Sequence, residues 1–173
     1  MDTLGIWFVG ARGSLATTAT VGLHALAAGL TERTGCVTEH PEIDGRGLVE
    51  HDRIRVGGHD VVDTALGKRA EQLVAGGVVP GHLIASVGSG LEDTERRLRH
   101  GVDAAGTTAR GQRAEVERLA DDIRAFGADL DRVVVVDVSS TEQPHDPGEA
   151  ADSWAALSRA WEAGRAPLSP SSM

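Results

Sequence analysis

The chain has 173 residues, 40% hydrophobic and 25% charged, which suits one domain able to bury about 70% of its unfolded surface. Its 26 acidic residues against 17 basic ones, a net charge of -9, argue against nucleic acid or an anionic membrane as the main partner, but not against a small phosphorylated ligand. A single cysteine excludes an intramolecular disulfide, and no stretch has the length of a membrane span or the form of a signal peptide, so a cytoplasmic protein is expected.

The opening segment is the most informative. A short apolar run, Ile6 to Val9, enters a turn with Gly10 and Gly13. A small-residue helix follows, with Leu15, Ala19, Gly22, Leu26 and Leu30 along one face. Strand, glycine turn and helix together open a dinucleotide-binding fold, because the helix N-terminus offers unpaired N–H groups to a diphosphate. Gly10 to Ala16 has the spacing G-x-x-G-x-x-A, weaker than G-x-G-x-x-G; the same spacing also serves as a tight connection without a ligand. No acidic residue occupies the first turn of the helix, and Arg12 lies in the loop, so an anion would be welcome there.

Thr34 to Thr38 reads as a second short strand ending at Glu39, with Cys36 as a small buried residue within it. Glu39 could accept hydrogen bonds from an adenosine ribose and repel a 2′-phosphate, favouring NAD; it equally suits a solvated loop acid. His40 to Arg53 is turn-rich. Ile54 to Val62 reads as a strand edge or turn around Gly57-Gly58, which must approach something closely. Leu66 to Val74 carries a helical stripe closed by Gly76-Gly77. Leu83 to Val87 has a weak strand signal, Leu91 to His100 reads as a solvated helix, and Gly101 to Gln112 as a mobile loop. Val116, Leu119, Ile123 and Phe126 define an amphipathic helix closed by Gly127.

Arg132 to Val138 is a valine-rich strand whose lack of alternation suggests a parallel strand covered on both faces. Ser139 to Gly148 then lies where open α/β sheets bind ligands. Trp154, Leu157 and Trp161 mark a last helix. The fold class is therefore α/β, a Rossmann-like doubly wound and mostly parallel sheet. Its expected bounds are 1–164, with an irregular tail over 165–173. The adjacent pairs His51-Asp52, His59-Asp60 and His145-Asp146 point to opposite sides of a strand and make no chelate alone, so no metal site is expected. Ser139, Ser140 and Thr141 suit hydrogen bonding to a cofactor better than nucleophilic attack.

Four blocks in this order resemble the myo-inositol-1-phosphate synthase family: VGARGSLATTATVG, VTE at Val37 to Glu39, VGGHD at Val56 to Asp60, and VVVVDVSSTE at Val133 to Glu142. The resemblance runs through the chain to PLSPSSM. It implies an enzyme that converts glucose 6-phosphate to 1D-myo-inositol 3-phosphate through NAD-dependent oxidation, enolisation, aldol closure and reduction. Such enzymes are usually homotetramers. Carried over, Gly10, Ala11, Arg12, Gly13, Ser14 and Leu15 would cradle the pyrophosphate. Glu39, Gly58, His59, Asp60, Ser139, Ser140, Thr141 and Glu142 would line the adenosine and nicotinamide side.

Two departures stand out. Asp137 occupies a position where similar proteins generally have Asn. The family's full chain is also roughly twice this long, and its lysines for the sugar phosphate and the developing oxyanions lie beyond the end of the resemblance. The one lysine here, Lys68, matches none of them, so no catalytic residue is assigned. Each such cationic donor is worth about 3–4 kcal/mol of barrier. The chain is thus expected to be the cofactor-binding part of a synthase, with glucose 6-phosphate a partner only if a catalytic half is supplied. A catalytically silent NAD-binding module, a truncated gene product and, less favoured, another NAD-dependent oxidoreductase are the alternatives.

Overall fold

A computed structural model describes residues 2–43, 45, 47–102, 109–139 and 152–164. Strand β1 (Leu4–Val9) leads through the glycine turn into helix α1 (Ser14–Ala27). Two short 3-10 turns, Val37–Glu39 and His51–Arg53, precede β2 (Ile54–Asp60). Helices α2 (Leu66–Ala75) and α3 (Gly81–Glu95), strand β3 (Leu98–His100), helix α4 (Ala109–Gly127), strand β4 (Arg132–Asp137) and helix α5 (Trp154–Glu162) complete the order. The four strands are parallel and lie in the order β3-β2-β1-β4. The chain thus winds outward from β1 to one side, then returns to place β4 on the other, which is the Rossmann-like arrangement.

Strand pleating sorts the sheet's two faces. Ile6, Phe8, Val56 and Val136 pack with Ala16, Val21, Leu66, Leu73, Val87 and Leu91 from α1, α2 and α3. Trp7 points the other way, with its ring 4.9 Å from that of Phe126 on α4. Burying this much Val, Leu and Ala, about 1.5–3 kcal/mol per large side chain, holds a parallel sheet closed without many aromatics. Gly58 lets β2 lie tight on β1: a Cβ there would collide with the Phe8 carbonyl oxygen and come within 2.7 Å of the Ala11 Cβ. The close approach expected at Gly57-Gly58 is real, but it occurs inside a central strand rather than at an edge.

Several expectations are corrected. Thr34 to Thr38 forms no strand; it is a turn leading into the Val37–Glu39 3-10 turn, and Cys36 is a free, half-buried thiol outside the sheet. Both edges of β1 are already paired, one with β2 and one with β4, so no place beside it remains for that segment. Leu83 to Val87 is helical within α3, and Leu98–His100 is a strand rather than the end of a solvated helix. α3 itself is half core, burying Val87, Leu91 and Thr94. Ala109 to Gln112 already belongs to α4.

Helix α1 buries Ala16, Thr17, Thr20, Val21 and Ala25, not the leucine stripe; Leu15 is 62% exposed. Small side chains face inward because α1 packs closely on α2 and α3. β4 is parallel as expected, yet among the described residues it is a sheet edge. Val134 and Val135, on opposite faces, stay half-exposed; on the Val135 face, α4 lies mainly over β1 and β2.

Candidate dinucleotide site

The C-terminal ends of β1 and β4 meet at the point where strand order reverses, the place where open α/β sheets take ligands. Val138 N–H donates to the Val9 carbonyl at 2.9 Å, which brings the two ends together. Gly10 has φ +84, and a Cβ on it would meet the Ser139 backbone nitrogen at 2.9 Å. Only glycine satisfies both the left-handed backbone and the missing space.

The turn after β1 is held by β2. Gly10 N–H and Ala11 N–H both donate to the His59 carbonyl, at 2.9 and 3.0 Å. Arg12 N–H donates to Asp60 Oδ2 at 2.6 Å, and Gly13 N–H to the Gly10 carbonyl at 3.0 Å. Asp60 Oδ1 accepts from Val62 N–H at 2.9 Å, so this buried carboxylate has both oxygens engaged. All four amides of Gly10 to Gly13 are therefore used inside the protein.

The N–H groups of Ser14, Leu15 and Ala16 have no partner among the described residues, since the helical ladder begins with Thr17 N–H on the Gly13 carbonyl. No acidic side chain occupies that first turn and no side chain caps it. Three converging donors at the positive end of a 14-residue helix, beside a glycine crevice, fit a diphosphate. These free amides lie one step further along the chain than the glycines themselves.

Arg12 does not point into this space. Its guanidinium, 11% exposed, pairs with Glu95 Oε1 at 2.6 Å. Glu95 Oε2 in turn accepts from Leu66 N–H at the start of α2, at 2.6 Å, and Arg69 Nε donates to the Arg12 carbonyl at 2.8 Å. Glu95 is thus a structural partner of the turn that spacing alone could not reveal. The only sequence signal is that an arginine folded inward needs a carboxylate from somewhere.

His59 and Asp60 point to opposite faces of β2. The His59 ring is buried beneath the sheet, where Trp7 Nε1 donates to Nδ1 at 2.9 Å and Nε2 faces Asp122 Oδ2 at 3.0 Å. Burial holds its pKa below the ordinary 6.5, against the opposing pull of Asp122. Because the Trp7 N–H needs Nδ1 as an acceptor, the geometry is that of a neutral imidazole on a carboxylate, although the pair has the spacing of an ion pair.

Glu39 ends a 3-10 turn rather than a strand, and its exposed carboxylate lies 3.2 Å from Arg33. The carboxylate at the end of the strand beside β1 is Asp60. Ser139 is exposed, with its N–H on Asp137 Oδ1 at 2.9 Å. Ser140, Thr141 and Glu142 lie outside the described residues. An open groove of about 870 Å³ between Arg33 and Ile43 shares no residue with the turn. Among the described residues, no group of three His, Cys, Asp or Glu could hold a metal ion. None of their helices is long and apolar enough to cross a membrane.

Residues 4–173 match an NAD-binding family described as myo-inositol-1-phosphate synthase. Among solved structures, the chain is similar to a myo-inositol-1-phosphate synthase-related protein from Thermotoga maritima MSB8, with a TM-score of 0.54 and 20% identity. The likeness covers 94% of this chain but only 40% of that one, and at this identity it speaks for the fold. No curated protein matches.

Proposed function

The chain belongs to the myo-inositol-1-phosphate synthase family, and from that premise we propose that it is the NAD-holding part of an inositol-3-phosphate synthase. The observation that carries this reading is the trio of free N–H groups at Ser14, Leu15 and Ala16, set at the β1/β4 crevice. They would take the diphosphate. Gly10 and Gly13 would let the ligand lie close to the backbone, and Ala11 and Arg12 would shape the turn through their own internal bonds. Gly58 and Asp60 would keep that turn on β2, while Ser139 and the Ser140 to Glu142 segment would face the remainder of the dinucleotide. Glu39, off the sheet and paired with Arg33, gains no support as the ribose acid.

Bound NAD would supply a hydride acceptor that later returns the hydride, making the overall conversion of glucose 6-phosphate to 1D-myo-inositol 3-phosphate an isomerisation. The protein's part in these residues is to bind and orient the cofactor. Among the described residues, no cationic group is assigned to the sugar phosphate. Lys68 lies on the exposed side of α2, 2.9 Å from Glu71. This favours a second reading, an NAD-binding module that is silent unless a lysine-bearing half completes it. Assembly as a homotetramer and a cytoplasmic location complete the proposal.

The test separates binding from chemistry. NAD is titrated into the purified chain by calorimetry, and inositol phosphate is assayed in the presence of glucose 6-phosphate. Binding without product is the expected result. Product formation would overturn the claim that catalytic cations lie elsewhere, and no binding would overturn the dinucleotide reading.

A further inference from the structure

We propose that His59 is a positioning residue for the glycine turn: Trp7 and Asp122 lock its neutral ring, its carbonyl thereby holds the Gly10 and Ala11 amides in place, and protonating the ring loosens that hold. The inference rests on reading the turn as part of a dinucleotide seat. It adds an element on the opposite face of the sheet, one that touches no ligand.

The chemistry follows from one donor. An indole N–H can only donate, so the Trp7 bond at 2.9 Å requires Nδ1 of His59 to be an acceptor. The ring proton therefore sits on Nε2 and is donated to Asp122 Oδ2 at 3.0 Å. Gaining a second proton would place N–H against N–H at the Trp7 contact. Trp7 cannot readily retreat: it is 1% exposed, its ring lies 4.8 Å from the His59 ring and 4.9 Å from Phe126, and Gly57 is packed directly against it. The imidazole has to move instead.

Among the described residues, the charged groups facing the ring are three. Asp122 on α4 favours the imidazolium, whereas Arg118 on the same helix and Arg99 on β3 oppose it. Arg118 also holds Asp122 Oδ2 at 3.1 Å and the His100 carbonyl at 3.0 Å, so the carboxylate is shared and fixed between α4 and β3. A satisfied core histidine is common. What distinguishes this one is that its own carbonyl accepts the first two amides of the turn, so a shift of the ring is felt directly at the seat.

NAD affinity of the full chain is measured by calorimetry at several pH values between about 7.5 and 5, and the same samples give the His59 ring nitrogen signals by NMR. The expected result is a neutral Nε2–H ring at the upper end and a Kd that weakens about tenfold on acidification. The midpoint of that weakening should coincide with ring protonation. His59→Gln offers an amide oxygen to Trp7 and an N–H to Asp122 but has no proton to gain. It should bind as the native chain does at about pH 7.5 and change less than about twofold at about pH 5. Trp7→Phe removes the opposing N–H, so the ring can take a second proton without being displaced, and the weakening on acidification should shrink to less than about twofold.

Parallel weakening in His59→Gln, or a ring carrying its proton on Nδ1, overturns the inference. If either variant fails to fold, separated midpoints in the native chain overturn it equally. Binding that ignores pH sinks the positioning role alone, while no binding at about pH 7.5 sinks the dinucleotide reading with it.

Discussion

Replacing Leu15 by glutamate should raise stability and lower NAD affinity at the same time. Leu15 is the second residue of α1 and is 62% exposed, so a longer polar side chain fits there without being buried. Leucine and glutamate have similar helix propensity, and α1 has no acidic residue in its first turn. A carboxylate there interacts with the positive end of the helix and should contribute about 0.3–1 kcal/mol. For a chain of this size that corresponds to a rise of about 1–3 °C in Tm. The same charge lies within about 7 Å of a diphosphate seated on the Ser14 to Ala16 amides. At an effective dielectric constant between about 40 and 80, its repulsion costs on the order of 1–2 kcal/mol, or about tenfold in Kd. The loss should shrink as salt is added, because both charges face solvent. Thermal melts and calorimetry at two salt concentrations measure both effects. A variant with raised Tm but unchanged Kd would show that the diphosphate does not rest on this helix end, whatever the family resemblance says.

Gly58→Ala places a methyl against the Phe8 carbonyl and the Ala11 Cβ, so β2 must move off β1; the expected cost is about 3 kcal/mol or more, read as a fall in the urea midpoint. Glu95→Ala strips the partner from the inward-folded Arg12 and leaves Leu66 N–H without an acceptor; because the pair is partly solvated, about 2–3 kcal/mol is expected, and a loss below about 0.5 kcal/mol would refute its structural role. Stability should also fall in mild acid. Burial depresses the folded-state pKa of both His24 and His59 below 6.5, so the unfolded chain takes up protons first. Their contribution is therefore complete above about 6.5 and is lost as pH falls through the depressed folded values. Urea melts from neutral to mildly acidic pH in the native chain and in His59→Gln measure the share due to His59.

The elements legible in the sequence are those with one dominant signal. β1 and β4 have dense β-branched or apolar runs, and α2, α4 and α5 have clear helical stripes. Helix α3 hides because Gly81, Gly88 and Gly90 dilute its pattern, and its reason for being helical is tertiary. Gly90, for example, lets α3 close on α1, where a Cβ would come within 2.7 Å of the His24 ring. The buried face of α1 is misread for a related reason. Hydrophobicity points to the leucines, but a helix packed closely on its neighbouring helices buries alanine and threonine, and Thr20 escapes the cost by donating its hydroxyl to the Ala16 carbonyl at 2.8 Å. The glycine turn is legible as a shape but not as a set of hydrogen bonds. Which amides are used and which are left over depends on His59 and Asp60, more than forty residues away in the chain.

That division of amides has a consequence for how the site would bind. Gly10, Ala11 and Arg12 donate to the end of β2 and Gly13 to the Gly10 carbonyl, so the turn needs no ligand to hold its form. The conformational entropy of ordering it is lost on folding rather than on binding, which leaves more of each ligand contact to appear as affinity. Changes in α1's first turn would then act on the dinucleotide directly and through charge. Changes at His59, Asp60 or Glu95 would act through the shape of the turn and be largely blind to salt, since those groups are buried or paired. The two kinds of residue are adjacent in space yet separable by a salt titration. This separation makes the role of the buried β2 end experimentally distinct from that of the helix that would hold the phosphates.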